Sequence, residues 1–133
     1  MSISEQERID ALRVVLDKYS TAAWELGVMD CATMVADYAD QLGVPYKWDR
    51  DSKAAVAGNP LRTIMRVLGK PEPLDPADLV GDVVLLNDSV EPLLGLRTGR
   101  GYVTLSHGDN NGLVMFAFDA IEIRATWRLG YGR

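Results

Sequence analysis

Two side chains of this sequence could do nucleophilic chemistry together: Cys31, its only cysteine, and His107, its only histidine. A thiolate attacks a carbonyl carbon once an imidazole has taken its proton, and the imidazole later protonates the leaving group. Such a pair would support acyl transfer, with Cys31 as candidate nucleophile and His107 as a weak candidate base. Cys31 opens a helical pattern: Asp30 suits the N-cap, and Gly43 stands where a left-handed C-terminal residue is wanted. Between them Cys31, Met34, Val35, Tyr38 and Leu42 recur at helical spacing, with Asp37, Asp40 and Gln41 on the other side. In a first turn, unpaired amide hydrogens and the positive end of the helix dipole favour a thiolate. The competing reading is a small core side chain, the usual fate of a free cysteine. His107 lies in the polar turn His107-Gly108-Asp109-Asn110-Asn111-Gly112, where an imidazole is usually just solvated.

Other constellations are thinner. One cysteine forms no intrachain disulfide, and one cysteine with one histidine makes no Cys/His zinc site. EF-hand spacing and His-Glu-x-x-His are absent, so no metal and no cofactor is expected. Gly99-Arg100-Gly101 precedes no helix with a Lys-Ser or Lys-Thr pair, so it is not a phosphate loop. Asp78, Asp82 and Asp88 suggest paired carboxylates, yet Asp82 enters a strand and Asp78 suits a turn cap. Arg124 and Arg128 share the outer face of a final strand, a solvated face unless an acidic partner meets it.

The elements that must position these groups fall into two halves. Ser4 and Glu7 form a capping box ahead of a first helix over 4–19, with Ile9, Leu12, Val15, Leu16 and Tyr19 facing a core. Trp24 is expected as a wall of that core. After Gly43 comes an irregular segment containing Tyr46 and Trp48, then a weak helix over 50–57. A firmer helix is capped by Asn59, begins at Pro60, turns Leu61, Ile64, Met65 and Leu68 inward and stops at Gly69. The proline-rich connector 70–78 separates helical periodicity from strand periodicity.

Downstream, Asp82 to Asn87 is a short strand buried on both faces. Leu93 to Thr98 and Tyr102 to Ser106 flank a Gly-Arg-Gly hairpin, and Leu113 to Phe118 is another apolar strand. Ile121, Ile123, Ala125, Trp127 and Leu129 alternate with polar residues, as in a half-exposed strand. With 133 residues, 47% of them hydrophobic and 25% charged, the chain fits one soluble α+β domain, 1–133. Its helical half spans about 4–69 and its antiparallel sheet half about 82–129.

A net charge of −5 and scattered basic residues argue against a nucleic-acid partner. The small groups Arg97 to Arg100 and Arg124 to Arg128 do not amount to a basic face. The polar N-terminus is not a signal peptide, and no apolar run approaches a membrane span. Synthesis and assembly in a cytoplasm are expected.

Gly27, Asp30 and Cys31 opening a helix, Gly81-Asp82-Val83 entering a strand, and Leu94-Gly95-Leu96 in the next strand together resemble the NlpC-type cell-wall peptidases. The closing Ala125-Thr126-Trp127-Arg128 is similar to the end of a divergent branch of that family, encoded among phage tail-assembly genes. The likeness covers about residues 20–129 and implies a papain-like fold, with N-terminal helices packed on a C-terminal antiparallel sheet. It also implies Cys31 as nucleophile and a histidine immediately before Leu94-Gly95-Leu96, where this chain has Leu93. A thiol has a pKa of about 8.5, which histidine pairing lowers to roughly 3–4. A helix terminus typically contributes about 0.3–1 kcal/mol, less than one pKa unit. With leucine in the base position, Cys31 would be a poor nucleophile unless His107 replaced the missing histidine.

The expected function is therefore that of a phage tail-tip structural or assembly component with a degenerate NlpC-like peptidase fold. It would sit in the virion among neighbouring tail hub and baseplate proteins. The alternative is an active cysteine endopeptidase or amidase acting on peptidoglycan peptides during phage entry, with Cys31 attacking and His107 as base.

Overall fold

The structure is a computed structural model that describes residues 3–21, 31–44, 79–87, 92–106 and 112–130. The first helix, α1, spans Glu5–Tyr19. Its capping box is formed as expected: the Glu7 amide donates to Ser4 Oγ at 3.1 Å and the Ser4 amide to Glu7 Oε1 at 3.4 Å. The second helix, α2, spans Cys31–Leu42. It stops at Gly43, whose φ of +73° is the left-handed conformation glycine adopts without penalty. The helices are tied by Asp37, which accepts from the Tyr19 hydroxyl at 2.5 Å and pairs with Lys18 Nζ at 2.7 Å.

Five strands follow: β1 (Val83–Asn87), β2 (Pro92–Arg97), β3 (Tyr102–Ser106), β4 (Gly112–Phe116) and β5 (Ile123–Trp127). They form one antiparallel sheet in the order β4-β3-β2-β1-β5, so β1 to β4 meander and β5 returns to the far side of β1. The α+β class and the antiparallel sheet are as the sequence implied. Asp30, Trp24, the helices expected over 50–57 and 59–68, and the connector 70–78 lie outside the described residues.

The two sheet faces bury different sets of side chains. Val83, Leu85, Leu94, Leu96, Val103, Leu105 and Trp127 pack with α1 and α2 in the main core. Val84, Leu86, Leu93 and Tyr102 alternate with them and form a second, smaller cluster. The link from β4 to β5 covers that second face. Edge to edge, the sheet measures about 19 Å at the usual strand spacing of about 4.8 Å. The few residues between Phe116 and Ile123 reach at most about 25 Å when extended, and a turn from Ala117 to Ala120 shortens them. The segment therefore runs directly across. Phe118 stands edge-on to Tyr102 (centroids 5.3 Å apart, 81° between planes), with the Arg97 guanidinium 4.2 Å above its ring. Ile121 joins the second cluster, and the Glu122 carbonyl accepts from the Asn87 amide at 2.9 Å.

Two strand readings need correction. The apolar run Leu113 to Phe118 leaves the sheet after Phe116, because Ala117 to Ala120 form the turn that begins the crossing. The last strand is not a single alternating face. Leu86 pairs with Ile123 but Leu85 with Ala125, so Arg124 is an extra residue in a bulge. The bulge shifts the side-chain parity, leaving Ile121 and Ile123 against the second face and Ala125 and Trp127 against the main core.

Candidate functional site

Cys31 is the first residue of α2 and is partly buried, packed against the main core. Met34, Val35 and Tyr38 of the same stripe are buried beneath it, while Asp40 and Gln41 are exposed. The helical reading of this stripe thus holds from Cys31 to Leu42, except that Asp37, expected on the outer side, is part-buried against α1 through its bonds to Tyr19 and Lys18. His107 and Asp30 lie outside the described residues, so the structure describes no distance from either to the sulfur.

Leu93 is buried with Val84, Leu86 and Tyr102, on the opposite sheet face from the core that Cys31 joins. Its neighbours Leu94 and Leu96 point toward the helices. Strand residues alternate, so a histidine at position 93 on this backbone would stand with the crossing segment rather than with α2.

A second constellation, unforeseen as a unit, joins three of the sequence motifs. Asp82, from the Gly-Asp turn, is fully buried and accepts from Arg128 Nε at 2.9 Å and Nη2 at 2.8 Å. This forked, charge-assisted contact ties β1 to the end of β5. Asp82 Oδ2 also accepts from the Leu79 amide at 2.8 Å. Arg128 is therefore not a solvated outer-face residue: its side chain is 14% exposed and held by a carboxylate. From α2, the Tyr38 hydroxyl donates to the Gly81 carbonyl at 2.7 Å. From α1, Arg8 Nη2 donates to the Leu129 carbonyl at 2.7 Å.

Gly81 is required where these groups converge. Its φ is +90°, and a Cβ there would meet the Tyr38 hydroxyl at 2.5 Å and Arg8 Cβ at 2.8 Å. Burial pushes the Tyr38 phenol up from 10.0 to about 12; the Arg8 guanidinium opposes the rise and the Asp82 charge adds to it. Arg8 is the member sequence reasoning missed. It falls among Ile9, Ala11 and Leu12 on α1 and is only 6% exposed, but its charge disguised a buried position. The sequence signal available was its place one turn ahead of Leu12 and two ahead of Val15 on the inward stripe.

Among the described residues no group of three or more His, Cys, Asp or Glu side chains could hold a metal. No helix among them is long and apolar enough to cross a membrane. Compared with known proteins, the chain matches no family model, no curated protein and no solved structure.

Proposed function

We propose that this chain is a structural or assembly component of a phage tail tip, with an NlpC-like architecture serving as a docking module among hub and baseplate proteins. The observation that carries the reading is the chemistry facing the cysteine helix. Among the described residues, β2 and β3 contribute Leu94, Leu96, Val103 and Leu105 to the core that Cys31 joins, and all are aliphatic. Leu93, aligned with the family's histidine, belongs to the other face. Aliphatic side chains at these four positions cannot accept a thiol proton or donate one to a leaving amine. The tail location rests on the likeness of Ala125-Thr126-Trp127-Arg128 to the tail-assembly branch. Trp127 and Arg128 serve the fold, one filling the core and the other gripping Asp82.

The second reading, a cysteine endopeptidase or amidase on peptidoglycan peptides, is favoured by a partly exposed Cys31 in the first turn of a helix. His107 would then be the base. Thiol-directed labelling at neutral pH separates the two. The assembly reading expects Cys31 to label no faster than a small-molecule thiol, with His107→Ala leaving the rate unchanged. Rapid labelling lost in His107→Ala, together with lysis of cell walls, would establish the enzyme instead. Mass spectrometry of purified particles tests the location, and a chain missing from the tails refutes it.

A further inference from the structure

The two edges of the sheet are built differently. β5 forms one of them and carries the exposed Arg124 in a bulge, and both a charge and a bulge discourage a further strand from pairing. β4 forms the other, and its residues, Gly112-Leu113-Val114-Met115-Phe116, include no charge and no proline. Among the described residues β4 pairs with β3 alone. Met115 is 52% exposed, although as the partner of Val103 it stands on the helix side of the sheet. The ladder fixes which backbone groups leave this edge. The Thr98 amide donates to the Gly101 carbonyl at 2.8 Å, so Gly101, Val103 and Leu105 turn their amides and carbonyls toward β2. Tyr102, Thr104 and Ser106 turn theirs toward β4, where they meet Phe116, Val114 and Gly112. Leu113 and Met115 therefore present their backbone groups outward, away from the sheet.

We infer that β4 pairs with β4 of a second copy of this chain, antiparallel about a two-fold axis at Val114, joining two five-stranded sheets edge to edge. In this register the edge matches itself. Leu113 lies opposite the partner's Met115, and Met115 opposite the partner's Leu113, so every outward amide and carbonyl of the strand finds a mate. On the helix side the exposed Met115 side chain then packs on an aliphatic one. On the other side Val114 meets its own counterpart, and Gly112, with no side chain, meets Phe116, the bulkiest residue of the strand. No like charges come together. A strand of an unrelated protein would have to bring this complementarity with it, whereas the chain already contains it. Five residues a side is far short of the roughly 20–30 in a standard interface, so the dimer is a weak one that forms at high local concentration. The edge is separate from Cys31, and the inference holds whichever function is correct.

Sedimentation equilibrium of the full chain between about 10 μM and 1 mM tests this. The mass is expected to rise from monomer to dimer and to stop there, because a two-fold pairing closes on itself. Met115→Lys sets an ammonium against the partner's Leu113 and should weaken association at least about tenfold, while the circular dichroism of the dilute protein stays unchanged. Cysteine pairs read the register in a Cys31→Ser background. Val114→Cys puts two sulfurs at the axis, where Cα atoms of such a pair stand about 4.5 Å apart, within disulfide range, and should cross-link under diamide. Met115→Cys leaves the two sulfurs two residues out of step, about 6.8 Å along the strand, and should not. If Met115→Lys fails to fold, the cross-linking comparison decides. The inference falls if the chain stays monomeric to about 1 mM, which would leave the edge to a strand of another protein. It falls equally if the mass climbs past the dimer, if folded Met115→Lys associates as the parent does, or if Val114→Cys cross-links no faster than Met115→Cys.

Discussion

One face of the sheet is sealed by two helices; the other, among the described residues, is crossed by a short irregular segment bearing Phe118 and Ile121. The helix side gathers Met34, Tyr38, Leu85, Leu96 and Trp127 into one continuous cluster, and Cys31 packs at its margin. The far side holds Val84, Leu86, Leu93 and Tyr102 beneath side chains of a turn. Adjacent residues of β1 and β2 serve opposite sides, so the identity of a strand position says little until its parity is known. Leu93 and Leu94 illustrate this: adjacent in β2, one belongs to the face under the crossing segment and the other to the face under the helices.

Substitutions can break this contrast at several points. The largest loss is expected from Asp82→Ala, which removes the carboxylate from a forked pair and strands a largely buried guanidinium. About 3–5 kcal/mol should disappear from the urea unfolding free energy, and Arg128→Met in the same chain should restore part of it. Leu85→Ala and Leu86→Ala compare the faces directly, since both side chains are fully buried. Leu85→Ala should cost about 2–5 kcal/mol. Leu86→Ala should fall at the low end of that range, because the crossing segment can settle into the gap where two packed helices cannot. Equal losses would mean that the crossing is packed as rigidly as the helices.

Tyr38→Phe should cost about 1 kcal/mol through the lost bond to Gly81. It should also change the alkaline limb of stability. The phenol titrates near 12 when folded and near 10 when unfolded, so between those values the unfolded chain has fewer protons bound. The contribution is complete below pH 10 and is lost as pH rises toward 12; Tyr38→Phe should flatten that decline in a pH series of thermal melts. Ser4→Ala, away from both faces, should remove about 1 kcal/mol by unmaking the capping box. Leu93→His sharpens the contrast through a null effect. The imidazole would destabilise the second cluster but leave Cys31 labelling unchanged, whereas faster labelling would put position 93 within reach of the sulfur.

Much of the fold was legible in the chain, for local reasons. Ser4 and Glu7 announced α1 because their side chains satisfy amides three residues away. Gly43 announced the end of α2 because few other residues tolerate its backbone angle. The Gly99-Arg100-Gly101 hairpin and the alternation within β2 and β3 likewise depend on near neighbours. The candidate site was legible only as Cys31 at the head of an inward stripe. Asp82 was rightly read as entering a strand, but Arg128 was read as solvated and the two were not paired, since nothing local says that residues 46 apart will share a forked ion pair.

The sequence by itself determined element types, caps and the change from helical to strand period, which short-range sterics and hydrogen bonding govern. Tertiary structure alone decided which face each strand residue serves. The bulge opposite Leu85 and Leu86 resets that parity through strand pairing, and the same assembly drew Arg128, read as a solvated outer-face charge, and Arg8, which no reading had singled out, into one polar junction. Desolvation and long-range pairing exist only once the chain has closed on itself, so no window of sequence contains them.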